Sequence, residues 1–324
     1  MTQTLERSTP RPPTPQPRQR RRWGHRVVPV LLLLLGVLVV SYPVAATYYN
    51  NYKQAEFARQ YGNQMQQLEP EVLAQMLAAA RSYNASLSPQ TLLDPWSAGP
   101  PATSPEYQEY LAQLNRDRVM GRIRIPGIKV DQPIFHGTGD DALTNGVGHL
   151  YGTSLPVGGP GTHSVLTAHT GLPNASHFDR LVDMKVGDVF YIDIYGETLA
   201  YQVNDTQVVL PDNFDSLGRS AGDDLLTLLT CTPYGINSHR LLVHAHRIDY
   251  DAELDVPGPT VLGFDWSLHP WMYPRLAVAA AALVILGAMS IGWLRSDRRA
   301  KRDSAAMDAG TTGDTNQQEE LAGP

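Results

Sequence analysis

Two runs of nearly unbroken hydrocarbon frame the chain. Residues 27–47 and residues 276–294 are dominated by Leu, Val, Ala and Ile, and neither run contains a charge. Each is long enough to cross a bilayer as a helix. Between them the pattern changes twice. From Tyr48 to Ser82, the apolar residues Phe57, Tyr61, Met65, Leu68, Val72, Met76 and Leu77 recur at steps of three and four, which predicts one or two helices. Residues 84–105 lose that period and contain five prolines. Such a long structureless stretch suits a lid or a linker. A short helix is predicted at Tyr107–Leu114. From Met120 onward the period becomes two, with strands predicted at Gly121–Ile125, Lys129–Phe135, Gly148–Tyr151, Ser164–Ala168, Val189–Ile194, Thr198–Val209, Leu225–Thr230 and Leu241–Ile248. Phe178–Met184 reads as a short helix. About eight short strands separated by Gly, Pro, Asn and Asp turns imply a mainly β fold, a closed or nearly closed barrel.

Charge turns these elements into a topology. Arg18, Arg20, Arg21, Arg22 and Arg26 precede the first apolar run, and Arg295, Arg298, Arg299, Lys301 and Arg302 follow the second. Basic flanks stay cytoplasmic, so both termini are expected inside and the intervening domain outside. The first run is read as an uncleaved anchor, because it exceeds a signal-peptide core and a helical segment continues from it. Residues 1–26 carry +6 and residues 295–324 carry −1, so the chain's net −6 leaves −11 between them. An acidic outer domain argues against a nucleic-acid partner.

The candidate chemistry lies at strand ends. Cys231, the chain's one cysteine, closes an apolar run, Thr227-Leu228-Leu229-Thr230-Cys231, and a Pro-Tyr-Gly turn follows. It cannot form an internal disulfide, and an exported free thiol is a liability unless it reacts. A buried packing role is the alternative at this point. Arg240 opens the next strand, and His169 stands where another strand runs into a Gly-Leu-Pro turn. A barrel that gathers these ends at one rim supplies a nucleophile, an acid–base and a charge stabiliser. His244 and His246 share a strand face, but no third ligand has compatible spacing, so no metal is expected, and no cofactor is indicated. No acidic cluster suggests calcium.

Thr227 to Cys231 resembles the TLxTC signature of sortases, the Gram-positive cysteine transpeptidases. The longer segment through Thr232-Pro233-Tyr234-Gly235-Ile236-Asn237 and Arg240-Leu241-Leu242-Val243 is similar to the pilin-polymerising class C branch. His169 to Pro173, and Asp94-Pro95-Trp96 inside the long loop, match that branch's histidine turn and lid motif. One position departs from it: class C members often carry a basic residue after the histidine, and Thr170 stands here.

The resemblance implies a sortase-like barrel and assigns roles. Cys231 attacks the Thr–Gly carbonyl of an LPxTG-like sorting signal on a pilin or surface protein and holds it as a thioester. His169 serves as acid–base, Arg240 steadies substrate or oxyanion, and a pilin lysine amine accepts the acyl group. Asp94 is expected to pair with Arg240 while Trp96 packs on Cys231, closing the site. A wall-anchoring sortase using a peptidoglycan amine, or a membrane-anchored binding module without chemistry, are the alternatives. The expected organisation is a disordered basic cytoplasmic arm (1–26), a transmembrane helix (27–47), an outer helical segment with lid loop (48–118), the catalytic barrel (119–250), a tether (251–275), a second transmembrane helix (276–294) and a disordered cytoplasmic tail (295–324). This is a two-pass cell-membrane protein.

Overall fold

Short apolar stretches between turns form eight strands: β1 (Gly121–Ile125), β2 (Val130–His136), β3 (Val147–His149), β4 (Thr162–Thr167), β5 (Val189–Ile194), β6 (Glu197–Val209), β7 (Asp224–Thr232) and β8 (His239–Ile248). The computed structural model describes residues 23–88, 92–97, 99–253, 255, 269 and 271–320. The strands close into a barrel in the order β1-β2-β3-β4-β7-β8-β6-β5. Pairings are antiparallel except β2 with β3 and β4 with β7. In β1 the alternation is plain. Ile123 and Ile125 fill the interior, whereas Arg122 and Arg124 point out to Asp131 and Asp193, each at 2.7 Å.

β7 does not alternate, and the reason bears on function. Leu226 and Leu228 join the main core. On its other face Leu229 joins a second apolar cluster with Leu150, Val165, Leu217 and Leu242, against which Leu92 and Trp96 pack. Both faces are covered, so the strand reads as one apolar run.

Among the described residues the α-helices are α1 (Trp23–Met65), α2 (Pro70–Ser86), α3 (Pro105–Ala112), α4 (Asp140–Asn145) and α5 (Met272–Glu320). Pro70 starts α2, where its missing N–H costs nothing. Ser104 caps α3 by accepting from the Tyr107 N–H. Tyr61 and Met65 of α1 and Leu77 and Ala80 of α2 enter the barrel's main core. The Tyr61 hydroxyl donates to the Met120 carbonyl (3.1 Å) and accepts from the Tyr195 N–H (3.0 Å).

The chain divides into two units, residues 43–268 and residues 1–42 with 269–324. In the second of these, Arg26 holds Asp297 through two hydrogen bonds of 2.7 Å. The helices α1 and α5 are both long and apolar enough to cross a membrane.

Several boundaries differ from the sequence reading. The basic arm lies outside the described residues up to 22, and α1 begins at Trp23. Most of the tether is likewise outside them, and α5 opens at Met272. α5 also runs to Glu320, so the tail read as disordered continues the helix; residues 295–306 are chiefly Arg, Lys and Ala, strong helix formers that need no packing partner. Cys231 and Arg240 are each one residue inside their strands, because the ladder extends to Thr232 paired with His239.

Candidate active site

Cys231 stands directly opposite Arg240 in the β7–β8 ladder. Paired residues present their side chains on one face, so thiol and guanidinium project together, away from Leu228 and the main core. On the other side of β7, parallel β4 sets Thr167 level with Leu229. The register is extended by the Ala168 N–H to Leu229 carbonyl bond (3.2 Å) and the Thr230 hydroxyl to Ala168 carbonyl bond (2.7 Å). Two residues beyond that paired level come His169 and Cys231. Three strands thus deliver His169, Cys231 and Arg240 to one rim.

The loop bearing Asp94 and Trp96 covers that rim. Asp94 accepts from Arg240 Nε (2.7 Å) and Nη2 (2.9 Å), a bidentate pair, while Nη1 donates to the carbonyls of Asn237 and His239. Trp96 Nε1 donates to His169 Nδ1 at 3.0 Å, and the Arg240 guanidinium lies 4.7 Å from the indole centroid. The sequence reading put Trp96 on Cys231; its bonds go to His169 and Arg240 instead. A half-buried indole N–H needs an acceptor, and a flat guanidinium stacks on the ring face.

These contacts set the tautomer of the imidazole. An indole N–H can only donate, so Nδ1 accepts, and the neutral His169 imidazole carries its proton on Nε2. Burial pushes the imidazole below its ordinary value, opposed by Asp140. Burial pushes the Cys231 thiol up; Arg240 draws it back down and Asp94 raises it further. Both shifts favour the neutral thiol and the neutral imidazole beneath the loop.

Asp179 was invisible as a site residue. Its Oδ1 accepts from the Thr170 hydroxyl (3.1 Å) and the Gly171 N–H (2.7 Å), pinning the turn that follows His169. Thr170 fills this bond where the resemblance led one to expect a base. Gly171 has φ +81°, and a Cβ there would lie 3.4 Å from the Gly235 nitrogen, so the histidine turn and the β7–β8 turn nearly touch. Leu92 did carry a signal, as an apolar residue in a polar loop. His244 lies on the face of β8 that carries Arg240 and Leu242: its Nδ1 meets Thr227 Oγ1 at 2.8 Å, and Thr227 meets His163 Nε2 at 2.7 Å. Among the described residues no group of three or more His, Cys, Asp or Glu is arranged to hold a metal.

Comparison with known proteins then decides the family. A profile described as "Sortase domain" matches residues 123–248. The crystal structure of sortase C-1 from Actinomyces oris is 54% identical to the chain, which covers 99% of that structure with 55% of its own length at a TM-score of 0.53. The chain belongs to the sortase family. Sortases are cysteine transpeptidases, and this one has Cys231 as its single thiol. Sortase C of Streptococcus pneumoniae, whose structure is described as informing catalysis and pilin substrate specificity, is 41% identical over 97% of its length and 60% of this chain, with a TM-score of 0.56. A lid mutant of sortase A from Corynebacterium diphtheriae is 47% identical over 98% of its length and 57% of this chain, with a TM-score of 0.53. The match to the curated Streptococcus agalactiae sortase A spans about half of that protein, 52%.

Proposed function

We propose that this sortase is a membrane-anchored transpeptidase that joins pilin subunits. It cleaves an LPxTG-like sorting signal between Thr and Gly and transfers the acyl group to a pilin lysine amine. The observation that carries this reading is the loop closed over the rim, with Asp94 bidentate on Arg240 and Trp96 bonded to His169. A pilin-directed relative of similar fold, and another known with an altered lid, support it.

The loop is a chemical block as well as a steric one. Its departure removes the Asp94 carboxylate, which raises the thiol's pKa, and leaves Arg240 uncompensated beside it. It also frees His169 Nδ1 to take a proton. Both changes favour a thiolate beside an imidazolium. The thiolate adds to the Thr carbonyl carbon, and the oxyanion is stabilised by the Arg240 guanidinium. His169 gives its proton to the departing glycine amine as the C–N bond breaks, leaving a thioester on Cys231. The lysine amine then adds to that thioester, His169 takes its proton, and the sulfur leaves as an isopeptide forms. The apolar face of Leu229, Leu242, Val165 and Leu150, now under Leu92 and Trp96, supplies the surface for the signal's Leu and Pro.

The topology belongs to the same reading. The 27–47 and 276–294 runs are the two spans, the basic flanks face the cytoplasm, and the barrel works outside. The test is incubation of the full chain with a pilin bearing its sorting signal. A ladder of covalent multimers, lost on replacing the pilin acceptor lysine, is the expected result. A single adduct on a wall-derived amine, with no ladder, would replace this reading with wall anchoring.

A further inference from the structure

The loop that follows His169 is held from outside the barrel sheet. Its first residues are pinned by Asp179, and the Phe178 N–H returns to the His169 carbonyl at 3.1 Å. Between these points, residues 174–177 are gripped by α1. Asn50 Nδ2 donates to the Asn174 carbonyl (2.8 Å). Asn51 uses both ends of its amide: Nδ2 donates to Ser176 Oγ (2.9 Å), and Oδ1 accepts from the Ser176 N–H (3.1 Å). One turn further along α1, Gln54 Oε1 accepts from Gln132 Nε2 (3.3 Å), and Gln132 Oε1 meets His177 Nδ1 at 3.1 Å.

Gln54, Gln132 and His177 are all buried, His177 at 2% exposure. The direction of each bond follows from the amides. With its nitrogen engaged by Gln54, Gln132 offers only its oxygen to His177, so His177 Nδ1 carries the proton and donates. His177 is the residue before Phe178, whose N–H holds the His169 carbonyl, and its φ of +27° lies in a region that a β-carbon disfavours. The surroundings must therefore impose that conformation, among them Asn51 on the preceding Ser176 and Gln132, itself held by Gln54, on the ring. His177 also sits close enough to His169 for the charge of His169 to be felt at His177. A second cation there would oppose protonation of His169. Burial keeps His177 neutral, with its value pushed down to about 4.

We infer that Asn50, Asn51 and Gln54 of α1 are positioning residues for His169, acting through the 174–178 loop. The inference rests on His169 being the acid–base proposed above. α1 does more than anchor: it contributes the rigid wall against which the catalytic imidazole is set. Gln54 lies four residues after Asn50 and three after Asn51, the spacings that bring side chains together on a helix surface.

The test uses the full chain in detergent, with the loop opened by Asp94→Ala and Trp96→Ala, and an LPxTG peptide with an amine acceptor. Asn51→Leu and Gln54→Leu each lower kcat by about tenfold or more, because small misplacements of a catalytic group cost rate steeply. KM stays within about twofold and Cys231 alkylation is unchanged, since neither substrate groove nor thiol is touched. Gln54→Glu, which keeps the acceptor oxygen for Gln132, retains most of kcat. Circular dichroism at the assay temperature establishes that each variant is folded. Unchanged kcat in both Leu variants, or a fall matched by slower alkylation, overturns the positioning role. An active His169→Ala protein would instead remove the underlying reading of the site, so the two failures are distinguishable.

Discussion

The strand-borne residues and the loop-borne residues of the site are held in different ways. His169, Cys231 and Arg240 sit at the ends of a ladder in which β7 is bonded on both sides, to β4 and to β8. Asp94 and Trp96 reach the same rim on a stretch without helix or strand, through two bonds to Arg240, one to His169 and apolar packing beside Leu92. The ladder sums many backbone bonds; the loop depends on a few side chains. Cooperative units open with free energies set by such content, so the gating proposed above assigns opening to the loop and a fixed geometry to the three rim residues. Catalytic geometry and access are therefore encoded in separate stretches of the chain.

The largest expected effect falls on the strand side. Cys231→Ala and His169→Ala each reduce transpeptidation by at least about a thousandfold, read as product formation by mass spectrometry. Arg240→Lys, which keeps the charge but loses the planar donor set, lowers kcat by about a hundredfold. Measurable transfer by Cys231→Ala would end the covalent account.

On the loop side, replacing Asp94 and Trp96 together by Ala raises the Cys231 alkylation rate by about tenfold or more, following the fraction of open molecules. The pH at which alkylation reaches half its maximum also moves down. The sign follows from the causes: burial and Asp94 both raise the thiol, and the substitutions relieve both. A midpoint that moves up, or stays, contradicts this. Leu92→Ala removes only packing and raises the rate about twofold to fivefold.

Acid stability separates the regions from the other direction. His149, enclosed by Tyr110 and the Ser154 carbonyl, is fully buried, and burial takes it down to about 4, as it does His177. The folded values lie below the unfolded one, so the unfolded chain binds protons first as pH falls. Stability is whole above about pH 6.5 and declines towards pH 4, by about 3 kcal/mol for each histidine. Urea unfolding at pH 7 and pH 4.5 measures the loss. The loop double variant keeps the same loss, whereas His149→Gln reduces it.

Much of this was legible in the chain. All eight strands lie within two residues of the predicted stretches, β1 through its period-two alternation and β7 through an unbroken apolar run covered on both faces. That His169, Cys231 and Arg240 share one rim was legible because all three stand at strand ends. The Asp94–Arg240 pair was readable from opposite charges on matched motifs. Trp96's actual partners were not, since a ring can cover any of three neighbours and only the fold decides. α4 has six residues and too little period to register. The grip of Asn50, Asn51 and Gln54 on the histidine loop joins residues more than a hundred positions apart, or works through buried amides, and neither leaves a local pattern.

The central claim is that a loop gates a Cys231 nucleophile. The direct measurement is intact mass of the protein after incubation with an LPxTG peptide, comparing wild type, the Asp94→Ala/Trp96→Ala variant and the same variant with Cys231→Ala. The account predicts an acyl adduct on Cys231 that forms faster in the loop variant than in wild type and disappears without the thiol. Equal adduct formation with the loop intact or altered would contradict the gate, and an adduct that survives loss of Cys231 would contradict the nucleophile.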